Sequence, residues 1–150
     1  MKIQAQRTLE QLAHSALDTK DNSLDLENKN ICGEDLKSIL SDFRAVKTLY
    51  ISNNQLGDAD MDALAEAPAG VTSLYLNHNQ VGDAGLRTLV NSAFAKNLTC
   101  LMLEANNIGP TGAESLANAK LHNLETLFLD SNPLGAEGVR AIARSKNLPR

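Results

Sequence analysis

The sequence predicts an α/β fold built from five copies of a strand–turn–helix unit, and two observations carry this prediction. Pairs of apolar residues separated by one position recur at steps of 25, 25, 27 and 26 residues. After each pair, the apolar spacing changes from every second residue, typical of a half-buried strand, to i, i+3 and i+4, typical of a helix. Such a period indicates a solenoid in which neighbouring units bury one continuous core. The five pairs are Leu24/Leu26, Leu49/Ile51, Leu74/Leu76, Leu101/Leu103 and Leu127/Leu129.

The segment ahead of the first repeat has the pattern of an amphipathic helix. We expect a helix over residues 3–18 that covers the edge of the first strand. The chain then forms one domain, 1–150, in which 3–22 provide an N-terminal cap helix and linker and 23–148 form the five repeats. The apolar residues that carry the helical spacing are Leu9, Leu12, Ala13, Ala16 and Leu17.

Polar and glycine positions that recur at the same spacing in successive repeats mark the turn that follows each strand. An asparagine stands five positions after the first leucine of the last four pairs, and a glycine stands three positions later. A side-chain amide both donates and accepts hydrogen bonds, so it can satisfy backbone groups that a buried turn leaves unpaired. We therefore interpret these asparagines as a structural ladder. The ladder consists of Asn54, Asn79, Asn106 and Asn132.

Two further features mark the helices. Asp58 and Asp83 stand at helix starts, where the helix dipole favours negative charge. A second set of glycines lies early in the helices, and we expect the missing Cβ to let each helix approach its strand closely. This set consists of Gly85, Gly112 and Gly138.

The repeats share the form LxLxxNxLGxxGxxxLA, and the chain resembles leucine-rich repeat proteins over roughly residues 23 to 148. The form is similar to the ribonuclease-inhibitor-like and GALA-type subclasses. The resemblance implies a horseshoe-shaped solenoid with a parallel sheet on the concave face and helices on the convex face. The matching stretches are LYISNNQLGDADMDALA, LYLNHNQVGDAGLRTLV, LMLEANNIGPTGAESLA and LFLDSNPLGAEGVRAIA.

Composition excludes several classes of partner. The formal net charge is −4 and the chain has no block of basic residues, so nucleic acid is not an expected partner. No apolar run approaches the roughly 18 residues needed to span a bilayer, so no membrane is expected either. Cys32 and Cys100 lack the spacing of a metal site, and no cofactor is expected. Two free thiols indicate a reducing, cytoplasmic compartment.

The residues also argue against catalysis. His14, His78 and His122 lie in different units, and no serine, cysteine or aspartate accompanies them in a triad-like pattern. The glycines recur once per repeat, so their period indicates turns and not a phosphate-binding loop. We expect no enzymatic activity.

One column of residues suggests a function. The residue between the two buried apolar residues of each strand points to the open side of the sheet, because strand side chains alternate between faces. Exposed aromatic residues and methionine in a row suit a binding surface, and the alternative is cross-strand packing between neighbouring repeats. The column reads Asp25, Tyr50, Tyr75, Met102 and Phe128, and the next outward column reads Glu27, Ser52, Asn77, Glu104 and Asp130.

The resemblance implies a non-catalytic protein-interaction module that holds a partner across its concave face. We expect the partner to offer apolar and basic side chains. Three alternatives stay open: the substrate-recognition arm of a ubiquitin ligase, for which residues 1–22 are too short to supply an F-box; a bacterial effector delivered into the host cytosol; and a structural spacer. The expected partner-binding residues are Tyr50, Tyr75, Met102, Phe128, Glu104 and Asp130.

The last strand, at about 126–130, has no successor to pair with. An unpaired strand edge is a template for another chain. The sequence therefore predicts either that the natural protein continues past residue 150 or that the chain associates weakly with itself through its C-terminal end.

Overall fold

The computed structural model describes residues 2–67 and 70–149, with side chains from residue 8 onward. Residues 1 and 150, the ends of the expected domain, lie outside the described residues. The strands are β1 (Leu17–Asp18), β2 (Ser23–Asp25), β3 (Thr48–Tyr50), β4 (Ser73–Tyr75), β5 (Cys100–Met102) and β6 (Thr126–Phe128). The α-helices are α1 (Lys2–Ala16), α2 (Gly33–Asp42), α3 (Met61–Ala65), α4 (Asp83–Val90), α5 (Pro110–Asn118) and α6 (Gly135–Arg144), with 3₁₀ turns at Asp58–Asp60 and Ala95–Asn97.

The predicted α/β repeat fold is confirmed. The strands form one sheet in the order β1 to β6, and β2 to β6 are parallel. The register aligns the first leucine of every repeat, with Leu49 opposite Leu74 and Leu74 opposite Leu101. In the first four repeats this leucine is fully buried, together with the apolar residues of α2 to α5 that face it, whereas Leu127 in the last repeat is half-buried. The core therefore lies between the sheet and the row of helices, and the other face of the sheet is left open.

The N-terminal end differs from the expectation. The helix over 3–18 is shorter at its C-terminal end, because α1 stops at Ala16 and the next two residues form β1. β1 pairs antiparallel with β2, so the sheet is not entirely parallel. The edge of β2 is thus covered by backbone hydrogen bonds from β1 as well as by the buried Ala13 of α1.

The helix-start aspartates link neighbouring repeats. The Asp58 carboxylate accepts a hydrogen bond of 2.6 Å from the Gly82 amide of the next repeat, and Asp83 accepts one of 2.7 Å from Gly109 in the same way. A third such bond, of 2.7 Å, runs from the Gly33 amide to Asp60. The helix dipole explains an acid at these positions but not these bonds between repeats.

The second set of glycines, which we call the second glycine column, makes room for a different contact from the expected one. A Cβ on Gly85 would lie 2.7 Å from the Cα of Asp58, and a Cβ on Gly112 would lie 3.1 Å from the Cα of Asp83. The close approach is therefore to the start of the preceding repeat's helix and not to the strand. Where the preceding repeat has Pro110, a Cβ on Gly138 would lie 3.2 Å from the proline Cα.

The residue before the ladder position adopts a left-handed conformation in every repeat, although none of these residues is glycine. At Ala105 φ is +52°. The left-handed region costs an L-residue about 1–2 kcal/mol, and a short polar side chain offsets part of this cost where alanine offers nothing. The other members of this column are Asn28, Asn53, His78 and Ser131.

We expect Ala105→Gly to stabilise the protein. Relief of the strained φ outweighs the extra freedom of glycine in the unfolded chain, so the free energy of unfolding should rise by about 0.5–1 kcal/mol. Urea denaturation checks this. Ala84→Gly, at an exposed position in α4, is the matched control and should lower stability by up to about 1 kcal/mol. A loss of stability in both variants would contradict the strain argument.

Candidate functional site

The open face of the sheet presents the predicted column as a continuous row. Tyr50, Tyr75, Met102 and Phe128 form what we call the concave stripe, and each stands directly opposite the next on adjacent strands. The first three are half-buried, and Phe128 is 45% exposed. Their backbone neighbours Leu49, Leu74 and Leu101 are completely buried on the other face. The stripe therefore exposes apolar surface without contributing to the core.

The two tyrosines contact each other across the strands. Their ring centroids lie 4.5 Å apart with 31° between the ring planes. This contact is the cross-strand packing that the alternative interpretation requires, and such pairs contribute about 0.5–1.5 kcal/mol. Among the described residues, no further strand lies on the other side of Phe128. The stripe thus combines a packed pair at Tyr50 and Tyr75 with a more exposed end at Phe128.

Cys100 lies beside the stripe. Burial raises the pKa of its thiol, although a hydrogen bond with the Tyr75 hydroxyl lowers that pKa in part. Burial also raises the pKa of Tyr75, with Cys100 and Tyr50 adding to the effect. Both groups are therefore held in their neutral forms at neutral pH, which suits contact residues and not an activated nucleophile.

The second outward column is less uniform than the sequence suggests. Asp130 is exposed and Glu104 is half-buried, so both expected binding acids reach the open face. Ser52 is instead buried, and no described residue bonds its hydroxyl. Asn77 accepts a hydrogen bond of 2.8 Å from the Glu104 amide, so it helps join β4 to β5.

The four ladder asparagines lie inside the turns that leave the sheet. Asn79 illustrates the arrangement, since its Oδ1 accepts hydrogen bonds from the amides of Asn54 and Leu56 at 3.1 and 2.9 Å. Its Nδ2 donates to the carbonyls of Ile51, Leu76 and Asn77. Asn54 and Asn106 make similar bonds and are also buried, whereas Asn132 is half-buried in the last repeat. Each asparagine therefore links its own turn to the preceding repeat.

The C-terminal end of the solenoid has an open apolar groove between β6 and α6. Leu127 and Leu129 are half-buried there, whereas the corresponding Leu101 and Leu103 are fully buried. Val139 of α6 is 55% exposed and lines the same groove with Ile142. Ile51, Leu76 and Leu103 each donate their amide to the next strand, but the Leu129 amide has no acceptor among the described residues.

Other kinds of site have little support in the described part of the chain. There, no three histidine, cysteine or acidic side chains come together in a way that could hold a metal ion. Among the same residues, no helix is long and apolar enough to cross a membrane. The three histidines stay apart, and the ring of His14 contacts Phe43 with the centroids 5.1 Å apart.

Comparison with known proteins agrees with this architecture. The similar solved structures include two that match over most of their length. The C-terminal domain of tropomodulin from Caenorhabditis elegans has 12% identity and a TM-score of 0.62, with 97% of this chain and 91% of that one covered. The actin-binding site 2 of leiomodin-1 has 18% identity and a TM-score of 0.57, with coverages of 91% and 86%. No curated protein matches the sequence.

The family is shown by the sequence itself. The leucine-rich repeat family profile matches four segments that together make up more than half of the chain, at residues 45–65, 71–90, 95–117 and 120–143. These segments coincide with the second to fifth strand–turn–helix units described above. The chain therefore belongs to the leucine-rich repeat family.

Proposed function

We propose that this protein is a non-catalytic binding module that holds a protein segment against the concave stripe. The observation that carries the proposal is the row of Tyr50, Tyr75, Met102 and Phe128, which leaves apolar surface on a face that the core does not need. A few aromatic anchors of this kind dominate the energy of most protein interfaces. Leucine-rich repeat domains serve as protein-interaction modules, which supports the same function.

The acids of the open face add a charge preference. Glu104 and Asp130 follow Met102 and Phe128 by two residues on their strands, and neither forms an ion pair within the described residues. A partner with basic side chains would meet them, and this attraction would speed association and make it sensitive to salt. The proposed partner is therefore a segment that carries apolar and basic side chains.

Selection from a random peptide display library tests this function. Peptides enriched on the wild-type protein should contain aromatic or aliphatic residues together with lysine or arginine. They should lose binding to a variant in which Tyr50, Tyr75 and Phe128 are all alanine. Equal binding to that variant, with its fold verified by circular dichroism, would contradict the proposal. Actin is a defined protein ligand for the same comparison, because the leiomodin-1 segment is an actin-binding site.

Two finer assignments belong with this proposal. One helix per repeat and the LxLxxNxLG form support the ribonuclease-inhibitor-like or GALA-type subclass. The cytoplasm suits two unpaired cysteines, Cys32 and Cys100. No feature of the described residues favours the ligase arm, the delivered effector or the structural spacer over the binding module.

We also propose weak self-association through the C-terminal groove, because no described strand pairs with the outer edge of β6 and the exposed Val139 flanks that edge. Val139→Glu should abolish a concentration-dependent rise in sedimentation coefficient that the wild-type protein shows in analytical ultracentrifugation. Thr111→Glu, at an exposed position of α5, should leave that rise unchanged. A wild-type protein that sediments as a monomer up to millimolar concentration would contradict the association.

A further inference from the structure

The dimensions of the open face restrict how a partner can lie on it. Each strand of the stripe is three residues long, which is about 10 Å. Across the six strands the sheet extends about 24 Å, since neighbouring strands are about 4.8 Å apart. A single α-helix is about 10 Å wide, so it fits the width of this face when it lies perpendicular to the strands.

The spacing of the stripe distinguishes a helix from an extended segment. The stripe offers one side chain per strand, at intervals of about 4.8 Å. A helix presents one side chain per turn every 5.4 Å or so on one side, whereas an extended chain presents one about every 6.7 Å. Over the three intervals from Tyr50 to Phe128 the mismatch reaches only about 2 Å for a helix but about 6 Å for an extended chain.

Acidic residues at the two ends of the concave stripe indicate which side chains a partner carries there. Asp25 and Glu27 of the first repeat lie at one end of the stripe, and Glu104 and Asp130 lie toward the other. The outward positions of β2 to β6 contain no lysine or arginine, and Lys29, which lines the same hollow as Asp25 and Glu27, forms no ion pair with them. The ion pair between Lys37 and Glu66, at 3.0 Å, joins α2 to the residue after α3, away from the open face. No described residue neutralises the acids at either end through an ion pair.

We infer that the partner segment is an amphipathic α-helix of about 16 residues that lies across the strands. One side of this helix carries an apolar residue per turn, at i, i+3 or i+4, i+7 and i+11, and these residues meet the concave stripe. Lysine or arginine near each end of the helix meets the two groups of acids. The inference rests on the proposed function, because it specifies the partner of the same surface.

Two synthetic peptides of identical composition test the helix. Both contain four leucines, with lysines at both ends and alanine and glutamine elsewhere; one places the leucines at helical spacing and the other at alternate positions. Fluorescence anisotropy should give the helical peptide at least about tenfold higher affinity, which corresponds to roughly 1.4 kcal/mol. Circular dichroism should show its helicity rise on binding. Tyr75→Ala should remove most of this affinity.

A peptide with reversed terminal charges tests the expected contacts between the ends of the helix and the acids of the open face. Glutamates in place of the terminal lysines should weaken binding at least about tenfold at low salt, and the difference should shrink in high salt. In the protein, the double substitution Glu104→Gln with Asp130→Asn should weaken binding of the peptide that carries terminal lysines. Glu114→Gln, at an exposed position of α5 on the opposite side, should not change its affinity.

The outcomes separate this inference from the proposed function. If the alternating peptide binds as tightly as the helical one and both depend on Tyr75, the helix is wrong and concave binding stands. If neither peptide binds, the inference is also wrong, and the display selection decides the proposed function independently. If both peptides bind equally to Tyr75→Ala, the helix is wrong and the concave site is contradicted as well.

Discussion

Asn79→Ala should lower the free energy of unfolding by about 2–4 kcal/mol, because it leaves the buried amides of Asn54 and Leu56 without their acceptor. Each such loss costs about 1–3 kcal/mol. The variant also removes the donor that serves three carbonyls in two repeats. Since repeat proteins are stabilised by contacts between neighbours, the damage at a central repeat affects the whole array. Urea denaturation measures this difference, provided that the free energy of unfolding falls with urea concentration at the same slope in wild type and variant.

The matched control for Asn79 is the next residue along the chain. Gln80 carries the same amide group, but its side chain is exposed and makes no hydrogen bond to the described residues. Gln80→Ala should therefore change stability by no more than about 0.5 kcal/mol. Equal denaturation midpoints for the two variants would contradict the ladder.

Gly85→Ala is the second substitution with a large expected effect. The added Cβ would lie 2.6 Å from Oδ1 and 2.7 Å from Cα of Asp58, and 2.9 Å from Cγ of Met61. The Cα belongs to the backbone, so a change of side-chain rotamer cannot relieve the clash. Such overpacking costs about 1–3 kcal/mol, which outweighs the gain of up to about 1 kcal/mol in helix propensity. The displaced Asp58 would also lose its bond to the Gly82 amide.

Gly57→Ala is the control for this glycine. A Cβ there would meet nothing closer than the Gln80 carbonyl oxygen at 3.9 Å, and φ is −114°, which alanine adopts without strain. Thermal denaturation should give this variant nearly the wild-type midpoint. If Gly57→Ala destabilises the protein as much as Gly85→Ala, close packing between the helix starts does not explain the second glycine column.

The repeat fold could be predicted because its signal is periodic. The strand leucines recur in register, so an error at one repeat is corrected by the other four, and the parallel pairing of Leu49, Leu74 and Leu101 follows. β1 has no such support. It is two residues long and occurs once, so no repeated pattern marks it as a strand. The helical spacing that includes Leu17 therefore predicts a helix there.

For the candidate site, the sequence predicts which face of the sheet the concave stripe occupies, but it does not predict the contacts of the second outward column. Alternation along a strand is enough to place Tyr75 and Phe128 on the open face. Alternation cannot show that Ser52 is buried or that Asn77 bonds the next strand, since both depend on how the turn bends over the sheet. The contacts of Asp58 and Gly85 were missed for a related reason, because they join residues 24 or more positions apart.

The central claim is that the concave stripe serves binding and not folding, and Tyr75→Ala tests it when stability and affinity are measured on the same preparation. With a peptide from the display selection, we expect affinity to fall about 30-fold, or roughly 2 kcal/mol, while stability falls by only about 1 kcal/mol through the lost Tyr50 contact. Leu74→Ala, its buried neighbour on β4, should instead lose about 2–5 kcal/mol of stability. The account is contradicted if Tyr75→Ala loses as much stability as Leu74→Ala, or if its affinity for the peptide is unchanged.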